Sequence, residues 1–203
     1  MNTILYIAQG AGLAAAAGLR PFLPALLAGA IASDDLGLTH GLALDFTHTD
    51  FSFLQAVVFL LAVVVALGLT YVLARRQGSE RFETGPLGSA VAGLGIGVGA
   101  LLFAAVLAEH HDSLWIGLAA GVLCAGLAHL ASSPLLARTR GRLAEGAARD
   151  ALTVYVDAAA LVLAALAIFA PPVSFLALIL LARLLYGARR REGEKYAGLR
   201  ILR

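Results

Sequence analysis

The chain has 203 residues, 60% of them hydrophobic and 14% charged, with a formal net charge of +2 and a mean hydropathy of +0.87. Soluble domains run about 45–50% apolar and about 25% charged, so this composition excludes an ordinary soluble domain and points to a polytopic membrane protein. The basic balance does not imply nucleic acid, because the basic residues flank long apolar runs, where membrane orientation places them.

Six apolar segments follow one another, predicting an all-α membrane bundle over 1–188 and a basic tail over 189–203. The first segment is 3–32, interrupted near Gly18–Pro24. The second is 51–74, after a polar loop, and the third is 86–108, opened by Gly85-Pro86 with proline at a helix start. The fourth is 113–131, entered by Asp112 or Ser113 as N-cap, and the fifth is 151–170, closed by Pro171-Pro172. The sixth, 173–188, leaves through Arg189-Arg190-Arg191 and forms a hairpin with the fifth.

Thirteen of the fifteen lysines and arginines lie in 75–81, 138–149 and 189–203. The other connections carry Asp34, Asp35, Asp45, Asp50, Glu109 and Asp112 and no basic residue. With six crossings, the basic segments and both termini are cytoplasmic. On this reading the thirteen report insertion and say nothing about chemistry. A first segment that is re-entrant would move only the N-terminus to the other side.

Residues 3–32 would form a helix of about 45 Å, too long for a hydrocarbon core of about 30 Å. Pro21 and Pro24 each remove a backbone donor and Gly18 is flexible, so a break is expected there. Arg20 sits at the break. A charge at membrane depth must be paired or hydrated, and interrupted helices with charges build midplane sites in transporters. Its partner is sought in Asp157, the one acid inside a span, and Arg183, which lies at a similar depth when both are counted from Pro171-Pro172. Asp157 pairs with Arg183, bridges both arginines to leave an anion-suited excess, or pairs with Arg20 alone if Arg183 reaches the interface. His129, followed by Ser132, Ser133 and Pro134, is a structural hydrogen-bonder or a proton relay with Asp157. Tyr155 and Tyr186 read as interface-belt residues.

The third segment carries Gly93, Gly95, Gly97 and Gly99, two small-residue pairs on different faces, and Gly117 and Gly121 repeat the spacing in the fourth. Such faces allow close helix approach, so the third segment is expected at the centre or at a homodimer interface. Ala17-Gly18-Leu19 before Pro24 and Ala125-Gly126-Leu127 before Pro134 suggest an inverted repeat. His40, His48, His110 and His111 are weak metal candidates without defined ligand spacing, so no metal or cofactor is expected. Leu36, Leu38, Leu42, Leu44 and Phe46 make the 33–50 loop one that rests on the membrane or caps the bundle. Cys124, the single cysteine, reads as a small apolar residue, and the tail lies on an anionic leaflet. Enzyme motifs are absent.

The Ala17-Gly18-Leu19-Arg20-Pro21-Phe22-Leu23-Pro24 segment, the His129 region and Glu194-Lys195-Tyr196-Ala197-Gly198-Leu199-Arg200 resemble a bacterial integral-membrane family catalogued only as domain of unknown function 4126. The resemblance implies a bacterial inner-membrane protein and brings no activity with it. The residues therefore predict a transporter or channel for a small solute or ion, its site formed by Arg20, Asp157, Arg183 and His129 at the break of Gly18, Pro21 and Pro24. The alternatives are a membrane scaffold or accessory subunit in which the charges are structural, and a membrane enzyme.

Overall fold

The structure, a computed structural model, describes residues 3–33, 44–78, 85–110, 113–143 and 147–197, without the side chains of 147, 149, 150 and 188–197. Among these residues it is all-α: α1 (Thr3–Leu19), α2 (Phe22–Ala32), a short 3-10 turn (Ser52–Gln55), α3 (Val57–Gln77), α4 (Pro86–Glu109), α5 (Leu114–Arg140), α6 (Ala147–Phe169) and α7 (Pro171–Ala197). Among the described residues four helices are long and apolar enough to cross a membrane: α3, α4, α5 and the 151–169 part of α6. The apolar helices α1, α2 and the 171–187 part of α7 are shorter.

The centre of the bundle is α1. Residues 8–18 are buried all round, and α4, α5, α6 and α7 pack against it. Its Ala- and Gly-rich sequence makes this possible, because small side chains let backbones approach closely. Contacts fix its direction. Gly10 meets Phe103, Ala14 meets Gly99, and Ala17 meets Gly95, so α1 runs antiparallel to α4. Tyr6 stacks on His110 at the end of α4. The Ser174 hydroxyl, at the start of α7, donates to the Ala8 carbonyl. The N-terminal end of α1 thus lies with Asp45, Glu109, His110 and the α6–α7 turn, at the acidic end of the bundle.

The chain leaves α1 at Leu19 and enters α2 at Phe22, with Arg20 and Pro21 between. The second helix runs back toward the acidic end, since Phe22 and Ala25 cluster with Val63 while Gly29 packs on the Leu54 carbonyl and on Leu60. Residues 3–32 therefore form a hairpin that starts and finishes at one end of the bundle, and the crossing first segment with both termini on one side does not fit this path. The basic residue beside α1 is Arg20, at the turn inside the bundle, so charge counting had no flanking interface charge with which to orient it.

The segment 44–55 closes the acidic end. Leu44, Phe46, Phe51 and Leu54 are buried in the main core with Leu102, Val106 and Ile168. The backbone N–H of Thr47 donates to Asp45 Oδ1 at 2.8 Å, and the Thr49 hydroxyl donates to the Phe46 carbonyl at 3.0 Å. This segment caps the bundle; Leu36, Leu38 and Leu42 lie outside the described residues. The glycine pairs of α4 divide sharply. Gly95 and Gly99 face α1, whereas nothing lies within 4 Å of a Cβ added at Gly93 or Gly97. The central helix is α1, and α4 lends it one glycine face. Gly117 and Gly121 of α5 pack on Ala104 and Ala100 of α4. Helix α5 continues through Pro134 and runs parallel to α1, with Gly18 against Ala125. The likeness of those two segments is not an inverted pair.

Candidate functional site

Below the α1–α2 turn the bundle opens into a cavity of about 740 Å³. The hairpin forms its roof through Leu19, Arg20, Pro21, Phe22 and Leu23. Its walls come from the basic-end halves of α3, α4, α5 and α6. The first turn of α2 lines the space without a side-chain cap, so the positive end of its backbone dipole is at the wall.

Two of the sequence-selected charges meet here. Arg20 Nε lies 2.7 Å from Asp157 Oδ1, an ion-pair distance without hydrogen-bond alignment, and the Tyr71 hydroxyl donates to Asp157 Oδ2. Both carboxylate oxygens are engaged, one by a helix-break cation and one by α3. Asp157 shares a face of α6 with the buried Ala160, Ala164 and Ala167, at helical offsets of three, seven and ten, which turns it toward the core. Arg20 remains only partly satisfied, because Nη2 is buried and has no hydrogen-bond partner.

His129 also lines the cavity. Its carbonyl accepts from the hydroxyls of Ser133 at 2.7 Å and Ser132 at 3.2 Å, and its Nε2 lies 3.3 Å from Ser133 Oγ. Pro134 lies in this same turn and lacks an N–H, and the two hydroxyls both bond the His129 carbonyl beside it. No contact links the His129 ring to Asp157 among those resolved, so the two share a cavity and not a bond.

Arg183 is not in this group. It is exposed on α7. Ser174, nine residues earlier, faces the core fully buried, and nine residues are two and a half turns, so Arg183 faces the opposite way. Counting from the proline turn addresses depth and could not give rotation. Two residues that the sequence reading did not select take its place. Tyr71 and Arg75 both line the cavity, one turn apart on α3. Arg75, read from the sequence as an insertion signal, thus also lines the cavity. The i, i+4 spacing of Tyr71 and Arg75 was the available signal. Tyr155 and Tyr186 are largely exposed, as belt residues would be.

Among the described residues no group of three or more His, Cys, Asp or Glu could hold a metal. His48 is exposed, and His110 Nδ1 lies 3.0 Å from the Val106 carbonyl. His40 and His111 lie outside the described residues. Cys124 is half-buried beside the Phe103 cluster.

A family model described as a domain of unknown function (DUF4126) matches residues 7–191. No curated protein and no solved structure matches the chain.

Proposed function

We propose that this chain, which belongs to the family described as a domain of unknown function (DUF4126), is a membrane transporter or channel for a small solute, bound at the turn of the α1–α2 hairpin. One observation carries the reading: a cavity of about 740 Å³ is lined by an arginine at a helix break that keeps 26% of its side chain exposed beside its ion pair with Asp157. Ligand sites occupy clefts of roughly 300–1,000 Å³ with a few convergent polar groups. Half-helices that meet inside a bundle are how transporters bring backbone dipoles to a substrate.

Applying the positive-inside rule to Arg75, Arg76, Arg138, Arg140 and Arg142 makes the basic end cytoplasmic. The protein then lies in a bacterial inner membrane, with α3 to α7 crossing and α1–α2 entering from the opposite side as a re-entrant hairpin. Its C-terminal tail is cytoplasmic, and the start of α1 is not. The cavity faces the cytoplasm, and the packed half with its cap seals it from outside.

The reading of the charges as structural locks draws support from the full engagement of Asp157. Reconstituted flux separates the two. Flux should fall at least about tenfold in Arg20→Ala and in the neutral pair Arg20→Gln with Asp157→Asn, while the neutral pair still inserts and remains monodisperse. Flux that survives in the folded neutral pair would leave the charges with a structural role only.

A further inference from the structure

We propose that the ligand of this cavity is an anion, a small molecule bearing a carboxylate or phosphate group held between Arg20 and Arg75. This rests on reading the cavity as a ligand site. Among the described residues the charges on its wall are unequal: Arg20 and Arg75 face a single acid, Asp157. That acid offers no free oxygen, because Arg20 Nε occupies one and the Tyr71 hydroxyl the other. A cation entering here meets two guanidinium groups and no available carboxylate. An anion meets the Arg20 guanidinium, whose side chain keeps 26% of its surface exposed beside the ion pair, a second arginine, and the first turn of α2. Guanidinium is suited to oxyanions, since its planar donors match two oxygens at once. Asp157, itself held by the Tyr71 hydroxyl, takes Arg20 through Nε and leaves the rest of the guanidinium for the ligand. The cavity greatly exceeds the volume of one phosphate, and Leu19, Phe22 and Leu136 line the remainder, so an organic anion with an apolar portion fills it best.

Such an anion comes either from the aqueous side or from a lipid headgroup. Thermal unfolding of the purified full chain in neutral detergent, at matched ionic strength, tests both. The probes are inorganic phosphate, benzoate, a short-chain phosphatidic acid and choline. At least one anion should raise the midpoint and choline should not. Stabilisation by phosphate or benzoate assigns an aqueous source, and by phosphatidic acid alone a lipid one.

Arg75→Ala, at an exposed position, should weaken anion affinity about tenfold. The neutral pair Arg20→Gln with Asp157→Asn should abolish it. Asp157→Asn alone should strengthen it about tenfold by releasing the Arg20 edge, the reverse of what a cation or proton site would give. Stabilisation by choline alone, by no anion, or by an anion whose affinity is unchanged in both Arg75→Ala and the neutral pair overturns the proposal. Anion binding without liposome flux retains it and removes transport; flux of cations alone does the opposite.

Discussion

The two ends of the bundle solve opposite problems with the same kind of helix. At the acidic end α1 is wrapped by α4, α5, α6 and α7, glycines bring backbones into contact, and 44–55 plugs what remains. At the basic end the same outer helices continue, but α1 does not. It stops at Leu19, and a cavity of about 740 Å³ lies where it would have gone. That volume is on the order of two turns of helix, and α1 itself is about 25 Å long. The cavity is thus the missing end of the central helix. Space inside this bundle comes from turning one chain back and not from splaying its walls.

A bulky residue should tell the halves apart most strongly. Gly12→Leu places a Cβ within 2.6 Å of Ala167 and against Ser174, so it should cost roughly 3 kcal/mol or more and yield little monodisperse protein. Ala92→Phe on the cavity wall should change stability by less than about 1 kcal/mol, yet abolish flux. Size-exclusion profiles and unfolding midpoints of the pair test this. Equal damage from both would erase the distinction.

A finer contrast lies within α4. Gly95→Ala meets the Ala17 carbonyl at 2.8 Å and should destabilise by about 1–2 kcal/mol. Gly97→Ala meets nothing within 4 Å and should stabilise by about 0.5–1 kcal/mol, because alanine loses less backbone entropy in a helix. Loss of stability at Gly97 would mean that this face is covered, as in a dimer.

The smallest effect concerns the cap. Hydrogen bonds from the Thr47 side chain and backbone hold the Asp45 carboxyl below its ordinary value of 3.8, with His48 adding to the effect. A depressed carboxyl stabilises the fold above its unfolded value, and that contribution disappears as pH falls through the lower folded value. Asp45 is exposed, so the loss should be only about 0.3 kcal/mol. It should be absent from acid titrations of Asp45→Asn.

Much of this was legible in the residues. Prolines and a charge inside an apolar run mark a break, because both are costly there. Arg20, Asp157 and His129 were found for that reason, and they line one cavity. Direction was not legible, since the charge beside α1, Arg20, sits at the turn inside the bundle and carries no positive-inside signal. Rotation was not legible either: depth follows from counting residues, whereas the face that Arg183 presents depends on which side of α7 packs. Tyr71 was missed because tyrosine is as common at a membrane interface as in a site, and only its partner tells the two apart.

The position of α1 also bears on how the protein is made. The helix at the centre of the bundle is synthesised before each of the four that surround it, and its contacts with α7 join Ala8 to Ser174. Contacts so distant in sequence are slow to form. A nascent chain must therefore hold a small-residue hairpin with a charged turn until the last helix arrives. Assembly closes around the first segment instead of growing outward from it. A ribosome stalled before Pro171 would carry a hairpin that had not yet acquired its outer wall.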